Sequence, residues 1–403
     1  MKLVEPILGW QGEMAAIRRD LHAHPELAYQ ENRTSDIVAQ QLESWGIEVH
    51  RGLGVTGVVG IIRGASDNGR TIGLRADMDA LPMQERNTFE HASTHAGRMH
   101  ACGHDGHTAM LLAAARYLAQ YRDFDGVVYV IFQPAEEGHV GAGRMIEDGL
   151  FTRFPMEAVF GMHNWPSLPV GRFGVCVGPI MASSNYFTVR ISGKGAHAAM
   201  PHMGVDPIMA ATHLTQALQS VITRNRNPYD PAVLSITQIH AGSADNVIPD
   251  TAELRGTVRT FTEETLDIIE QRVRELAGSI SEGFGCAAEV TFDRKYPPTI
   301  NHPKETAFSV QVLKDLVGPD HVDDAVQPAM TGEDFALMLK ERPGCYLWIG
   351  NGQGDHRLPG HGEGPCTLHN ASYDFNDALI PIGASYWVEL ARRWLSTTQV
   401  AGN

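Results

Sequence analysis

The sequence predicts an α/β protein in which helices flank the central sheet of a discontinuous main domain, and in which a ferredoxin-like α+β domain is inserted. Two observations support this fold class. Apolar strand-like runs alternate with helical periodicity up to residue 183 and again after residue 297, as in sheets covered by helices. Between them, residues 184–296 have the order β-α-β-β-α-β, which is the ferredoxin-like arrangement. We therefore assign residues 1–183 and 297–403 to the main domain and residues 184–296 to the insert.

The first part of the main domain begins with two predicted helices. Residues 12–24 have helical periodicity and end before Pro25, and residues 33–46 form a second helix with Thr34 or Ser35 as its N-cap. Apolar runs then predict strands, and a further helix follows His107. The runs are GVVGIIRG, TIGLRADMDAL, GVVYVIFQPAEEG (an apolar run that stops abruptly at two glutamates) and AVFGMHNWP. Sheets of this kind form their sites at strand ends.

The insert and the C-terminal part follow from the same patterns. The insert has strands at residues 184–195, 232–242, 251–261 and 287–298, and helices at residues 207–224 and 262–285. Thr262 is the expected N-cap of the second insert helix. After the insert come helices at residues 304–318 and 332–342, a strand at residues 345–352 and a C-terminal helix at residues 381–395.

Composition excludes several function classes. The 403 residues carry a net charge of −15, which argues against binding to nucleic acid or to an anionic membrane. No window reaches the roughly 18 apolar residues of a membrane span. The five cysteines are sparse and odd in number, and the N-terminus does not resemble a signal peptide. We therefore expect a protein of the reducing cytoplasm, without a disulfide framework.

The motif HACGHDGH places several metal-capable side chains ahead of a helix. Cys102 and His104 are alternate residues, so on an extended loop their side chains point the same way and can bind one metal ion or bridge two. A thiolate with an imidazole fits zinc or another late first-row ion. The alternative is a polar helix start, in which Asp105 is only an N-cap. His100 and His107 are more typical of supporting or surface positions than of ligands.

Three further motifs lie at the ends of predicted strands. In PAEEG, either Glu136 or Glu137 can bind a metal while the other acts as general base; a solvated acidic loop is the alternative. His163 of GMHNWP and His369 of TLHNASYDF are single histidines, which more often have structural roles. Together with the C-x-H pair, however, they supply the mixed sulfur, nitrogen and oxygen donors of a hydrolytic metal site.

One histidine motif lies apart from the others, in the insert. GKGAHAAMPH carries His197 and His202 in a glycine-rich loop between a strand and a helix. Its distance in sequence from the other motifs suggests a lid or a contribution from a partner chain. The alternative is an ordinary turn with exposed histidines.

These motifs resemble those of the hippurate hydrolase and auxin-conjugate hydrolase branch of the metallo-aminoacylase and carboxypeptidase G superfamily. The resemblance runs nearly end to end, through RRDLHAHPELAYQE, LRADMDALPMQE, MHACGHDGHTAMLL, QPAEEGHVGAGRMIEDGLF, GMHNWPSLPVG, GKGAHAAMPH, NVIPDTAELRGTVRTF, TGEDFA and LHNASYDFND. It implies that the main domain is catalytic and holds two divalent ions, and that the insert is a dimerisation domain. Zinc is the first expectation for the metal, with manganese, cobalt or nickel as alternatives.

The resemblance also assigns roles to individual residues. The implied metal ligands are Cys102, His104, Glu137, His163 and His369. The resemblance makes Glu136 the general base. It also implies that Asp79 of RADMDALP orients a metal ligand without binding the metal itself. His197 matches a histidine that reaches the active site from the partner subunit, and Asn246 of NVIPD contacts the substrate.

The activity implied is that of an N-acyl-amino-acid amidohydrolase, acting on hippurate-like or N-acetyl amino acids. The expected assembly is a homodimer or a dimer of dimers. A dipeptidase or carboxypeptidase on the same scaffold is the nearest alternative. A non-enzymatic binding protein that kept the fold is a more distant one, and it would be marked by loss of Glu136 or of a ligand, none of which is lost here.

Overall fold

An eight-stranded mixed sheet forms the framework of the first of two units in the computed structural model, which describes residues 1–357 and 359–396. The first unit comprises Met1–Ile180, Ile300–Gln327 and the described residues from Asp334 onward. The second comprises Met181–Thr299 and Pro328–Glu333. None of the helices in the described part of the chain has the length and apolar character needed to cross a membrane.

The strands of the large sheet have a parallel centre. In spatial order they are Glu48–Leu53, Gly57–Arg63, Asp125–Gln133, Ser66–Asp77, Val159–Trp165, Gly344–Gly350, Phe173–Gly174 and Val322–Asp323. The third to sixth strands of this order run parallel to one another. Their carboxyl ends therefore share one edge of the sheet, where open α/β sheets bind their ligands.

Helices flank this sheet, as the fold class predicts. They are Glu5–Ala23, Asn32–Ser44, His104–Gln120, the short turns Glu136–His139, Gly141–Glu147 and Leu150–Arg153, then Pro303–Val317, Phe335–Glu341 and Leu379–Ser396. The third is buried along almost its whole length, because it packs between the first and the last helices of this list. Its Ala- and Leu-rich sequence is that of a helix enclosed in the core.

Two helix starts differ from those expected. The helix expected after His107 begins at His104, because Gly103 adopts a left-handed conformation (φ 93°) and acts as N-cap. Asp105 is therefore in the first turn rather than at the cap. The second helix begins at Asn32, so neither Thr34 nor Ser35 caps it.

A carboxylate from the preceding loop replaces the expected cap of the second helix. The Glu26 side chain accepts the backbone N–H groups of Arg33 at 3.1 Å and Thr34 at 2.9 Å. These are two of the N–H groups that a helix start leaves without intrahelical partners. Glu26, six positions before the first residue of the helix, thus satisfies the N–H groups that an N-cap side chain would bind.

The second unit contains a four-stranded antiparallel sheet and two long helices. In spatial order the strands are Ala232–Ala241, Thr251–Thr260, Ser184–Ser192 and Ala287–Tyr296. The helices are Pro207–Ser220, continued by a π-helical turn at Val221–Asn225, and Glu263–Gly283. Along the chain, these elements follow the order β-α-β-β-α-β. The hydroxyl of Thr262 accepts the Thr265 N–H at 3.2 Å and is the N-cap, as predicted.

Shorter elements complete the two units. Two-residue strands at Ala196–His197 and Val247–Ile248 pair within the second unit. Short strands also lie at Gly178–Met181 and Thr299–Asn301, and 3₁₀ turns at Pro201–Met203 and Pro319–His321.

Candidate metal centre

The parallel strands bring the polar motifs of the main domain to one edge of the sheet. Asp79 follows the strand Ser66–Asp77, Glu136 and Glu137 follow the strand Asp125–Gln133, and His163 lies near the end of Val159–Trp165. These three strands are adjacent in the sheet, although their order in space differs from their order along the chain. Side chains that are far apart in sequence are thereby collected in the first unit.

Cys102, His104 and His163 form one compact group of potential ligands. Their sulfur and nitrogen atoms all lie within 4.8 Å of one another, and all three residues are buried. The Cys102 Sγ is 3.3 Å from the His163 Nε2. A thiolate with two imidazoles is a donor set suited to zinc and similar ions.

A second group shares Cys102. It consists of Cys102, Glu137 and His369, with ligand atoms again within 4.8 Å of one another. The His369 Nε2 lies 3.3 Å from the Glu137 Oε1, and the His369 side chain is 54% exposed. His369 has a left-handed backbone (φ 58°), and its N–H donates to the Ala101 carbonyl at 2.8 Å, which holds it beside the Cys102 loop.

Hydrogen bonds fix the orientation of the two buried imidazoles. The His163 Nδ1 donates to the Asn164 carbonyl at 2.6 Å, and the His104 Nδ1 lies 3.2 Å from the Asp79 Oδ1. Both rings therefore turn Nε2 towards the ligand groups. Among the described residues the His104 Nε2 has no hydrogen-bond partner although it is buried. This nitrogen lies 3.7 Å from the Asp77 Oδ2, and a buried nitrogen without a hydrogen bond, among thiol and carboxylate groups, fits a site that holds a metal ion.

The pKa values of three potential ligands are shifted in different directions. Burial alone would lower the pKa of His104, but the charges of Asp77 and Asp79 outweigh it and raise this pKa to about 10. Burial and the nearby histidines keep the pKa of His163 well below its usual value. Burial, with the charges of Glu137 and Glu136, raises the pKa of the Cys102 thiol well above its ordinary value. Without metal, Cys102 and His104 thus hold protons that a bound ion would displace.

Glu136 lies beside these ligand groups. Its carboxylate oxygen is within 4.8 Å of ligand atoms of His104 and Glu137, and the residue is only 6% exposed. The Glu136 Oε1 accepts the Asp334 backbone N–H at 3.4 Å. A long hydrogen bond thus holds the side chain close to the potential ligands, and Glu136 belongs to neither group that contains Cys102.

Asp77 was not predicted as part of the site, whereas a supporting or surface position was expected for His107, and the two side chains support the site together. Asp77 accepts from the His107 Nδ1 at 2.6 Å and forms an ion pair with Arg75 at 2.6 Å. The His107 Nε2 accepts the Asn164 N–H at 2.9 Å, so both ring nitrogens of His107 are engaged. Although Asp77, His104 and His107 also cluster, His107 is committed to hydrogen bonding. The RADMD motif offered a signal, because Asp77, the last residue of its strand, and Asp79, just beyond the strand, are alternate residues.

The histidine and asparagine predicted in the insert lie together in the second unit. His197 pairs with Val247 in a two-residue antiparallel ladder, and the Ala198 N–H donates to the Asn246 carbonyl at 3.0 Å. His197 and Asn246 are both exposed. His202 is exposed as well, in a 3₁₀ turn. The predicted metal ligands and Glu136, by contrast, all belong to the first unit.

Comparison with known proteins gives a consistent result. Residues 73–393 match the model of peptidase family M20/M25/M40. The chain is 40% identical over 396 residues to a hippurate hydrolase of Campylobacter jejuni, an alignment that covers 98% of this chain and all of that protein. It is also 40% identical over 389 residues to an N-acetyl-L-cysteine deacetylase of Bacillus subtilis, covering 96% of this chain and 89% of that protein.

Two further matches complete the comparison. A thermostable carboxypeptidase of Saccharolobus solfataricus is 42% identical over 339 residues, which are 83% of this chain and 84% of that protein. The crystal structure of Bacillus subtilis YXEP protein, a dinuclear metal binding peptidase from the M20 family, aligns with a TM-score of 0.81 and 36% identity. That alignment covers 97% of this chain and 99% of the other.

Proposed function

The chain belongs to peptidase family M20/M25/M40, and from this premise we propose that it hydrolyses N-acyl amino acids to a carboxylic acid and a free amino acid. It is a metal-dependent amidohydrolase, and the proposal concerns its substrate class. The main observation in support of this proposal is the pair of ligand groups that share Cys102, because such a pair is suited to two ions that act on one amide carbonyl. The relatives named for hippurate and for N-acetylcysteine support an N-acyl substrate.

The site would hold two divalent ions per subunit, with zinc first and manganese, cobalt or nickel as alternatives. The residues that would hold them are Cys102, His104, Glu137, His163 and His369, of which Cys102 belongs to both ligand groups. When bound, the ions supply Lewis acidity, which polarises an amide carbonyl and lowers the pKa of water from about 15.7 to about 7. Asp79 supports the ligand set, since its two oxygens contact the His104 ring and the Glu137 backbone N–H.

Glu136 would act as general base and acid. Its carboxylate lies beside His104 and Glu137 and outside both groups that contain Cys102, and from this position it would take a proton from the attacking water. The same carboxylic acid would then protonate the leaving nitrogen, which releases the amino acid. Glu136 thus moves one proton from the nucleophile to the leaving group.

His197 and Asn246 are proposed to complete the site from a partner subunit. The outer strand of the insert sheet, Ala232–Ala241, pairs on one side only in the described chain, and such an edge can pair with a second copy. We propose a homodimer, or a dimer of dimers, formed through residues 184–296. The His197 imidazole would stabilise the oxyanion, a contribution of about 2.7–4 kcal/mol for a single donor in other enzymes. Asn246 would contact the substrate.

A reducing compartment is the proposed location. All five cysteines are free thiols, and all five are buried. Free thiols throughout a chain are typical of cytoplasmic proteins. We therefore propose that the enzyme works in the cytoplasm.

A carboxypeptidase or dipeptidase activity is the second candidate. The carboxypeptidase relative is as similar in sequence as the hydrolases of acylated amino acids, over a somewhat shorter alignment. Both reactions cleave an amide next to a free carboxylate, so the same ligands and the same base would serve. Only the group on the acyl side differs.

A substrate panel separates the two candidates. Release of free amine would be measured for N-benzoyl and N-acetyl amino acids and for dipeptides of the same C-terminal residue, with the metal content determined on the same preparation. We expect kcat/KM to favour the acylated amino acids. A consistent preference for dipeptides would instead assign the peptidase activity, and full activity after verified metal removal would contradict the proposed mechanism.

A further inference from the structure

The loop that carries Glu136 and Glu137 has an unusual backbone. Ala135, Gly138 and Val140 all adopt left-handed conformations, with φ of 56°, 77° and 61°. Only glycine adopts this conformation without steric cost, so Ala135 and Val140 must be held in place by their surroundings. Ala135 immediately precedes Glu136, and its conformation therefore sets the direction in which the Glu136 side chain leaves the backbone.

Glu31 contacts this loop at Ala135. The Glu31 Oε1 accepts the Ala135 N–H at 2.9 Å, and the Glu31 Oε2 accepts the Thr56 hydroxyl at 2.7 Å. Glu31 is fully buried, at 0% exposure. Burying a carboxylate is costly unless it is hydrogen-bonded, and here both oxygens are used. The buried Glu31 carboxylate is thus held by hydrogen bonds to the loop and to Thr56.

Other side chains hold the same loop at different atoms. Asp79 accepts the Glu137 N–H at 3.0 Å, the Tyr29 hydroxyl donates to the His139 carbonyl at 2.8 Å, and Asp334 accepts the Ala142 N–H at 2.9 Å. Among these contacts, that of Glu31 is the one made at the residue before Glu136. Glu31 and Tyr29 come from the same short segment, which therefore contacts the loop at two points.

We propose that Glu31 is a positioning residue, which holds Ala135 in its left-handed conformation and so directs the Glu136 carboxylate. This inference rests on the proposed role of Glu136 as general base. Burial raises the pKa of Glu31 to about 7, against the lowering effect of the Thr56 hydrogen bond, and this is consistent with a carboxyl group enclosed in the protein interior. In the described part of the chain the Glu31 side chain forms its hydrogen bonds with Ala135 and Thr56 and none with the proposed ligands.

The test compares three variants of the metal-loaded enzyme. Glu31→Ala should lower kcat by about 10–100-fold, the scale of a misplacement of about 1 Å, with KM and metal content nearly unchanged. Glu31→Gln should restore kcat to within about fivefold of wild type, because its amide oxygen can still accept the Ala135 N–H. Glu26→Gln is the matched control: it alters a carboxylate that also accepts backbone N–H groups, at a helix start, and should lower the melting temperature without changing kcat.

A double-mutant cycle identifies the residue through which Glu31 acts. In the Glu136→Gln background, Glu31→Ala should have almost no further effect on kcat. If the two losses multiply, or if the kcat loss of Glu31→Ala follows metal loss, the positioning role is overturned. Should the alanine variant not fold, Glu31→Asp, whose shorter side chain draws the carboxylate away from Ala135, replaces it in the same measurements. If Glu136→Gln alone leaves kcat unchanged, the proposed base is wrong, which is a separate failure.

Discussion

The Asp79 carboxylate lies 3.2 Å from the His104 Nδ1, and this contact turns the His104 Nε2 towards Cys102 and His163. The second oxygen of Asp79 accepts the Glu137 backbone N–H at 3.0 Å. One buried carboxylate thus connects a histidine of the first ligand group with a glutamate of the second. The two groups are coupled through a residue that belongs to neither.

Asp79→Asn should weaken metal binding by about 10–100-fold, the usual effect of losing such support. The two Asp79 oxygens contact different donors, the His104 ring and the Glu137 N–H, and asparagine replaces one of these oxygens by an NH₂ group, so one contact is lost. Titration of the metal-free variant with zinc measures the change. Asp148→Asn is the control, because Asp148 also accepts a backbone N–H, that of Gly54 at 2.9 Å, and among the described residues it belongs to no potential ligand group. Equal zinc affinity in both variants would exclude the supporting role of Asp79.

Cys102→Ser should lose metal that Cys176→Ser retains. Cys102 belongs to both ligand groups, whereas Cys176 is a buried thiol that donates to the Pro179 carbonyl at 3.6 Å and, among the described residues, belongs to no ligand group. A serine hydroxyl is a much poorer ligand than a thiolate for zinc-like ions. Elemental analysis after purification gives the metal content of each variant. The same content in the two variants would mean that Cys102 is not a ligand.

The two adjacent glutamates should differ in phenotype. Glu136→Gln removes the base but keeps the size, so we expect near-normal metal content and a kcat lower by about 10²–10⁴-fold. Glu137→Gln should lose metal, because Glu137 lies 3.3 Å from His369 within a ligand group. Metal analysis and steady-state kinetics on the same preparations decide between them. Exchanged phenotypes would reverse the two roles.

Metal loading should release protons, and metal affinity should fall as the pH falls. In the metal-free site the pKa of Cys102 is raised well above its usual value and that of His104 is raised to about 10, so both groups are protonated at neutral pH. A bound ion displaces these protons, whereas His163, whose pKa is lowered, is already neutral. Calorimetric titration with zinc in buffers of different ionisation enthalpy measures the release. Zinc affinity independent of pH between about 6 and 8 would contradict this arrangement.

Sequence patterns predicted the central sheet flanked by helices and much of its polar edge. Apolar runs that stop at PAEEG and at HNW indicated strand ends, and parallel strands bring their ends together. The edge strand Glu48–Leu53 was missed, because a largely exposed strand carries no apolar run. Its sequence EVHRGL has the polar composition of a loop.

The supporting contacts could not be predicted in the same way. Glu31 is a single acidic residue in an aperiodic segment, and its partner Ala135 lies far along the chain. Nothing local to either residue indicates that they meet, since the contact depends on how separate segments pack. The start of the third helix likewise depended on the left-handed Gly103, a backbone conformation that a run of polar residues does not specify.

His197 should act in trans, and mixing two inactive variants tests this. Glu136→Gln lacks the base in the first unit, and His197→Ala lacks the imidazole of the insert. If the insert of one subunit completes the site of the other, each mixed dimer has one site with both residues intact. Random exchange makes half of the dimers mixed, so activity should rise to about a quarter of wild type.

The control mixture is Glu136→Gln with Glu137→Gln, whose changes lie side by side in the first unit. Every site in that mixture retains one defect, so it should not recover, and any gain would reveal an artefact of mixing. Subunit exchange is verified independently, with tagged chains recovered as mixed dimers. If exchange is complete and the His197→Ala mixture stays inactive, each His197 serves its own chain, and the trans role is wrong even if the protein is a dimer.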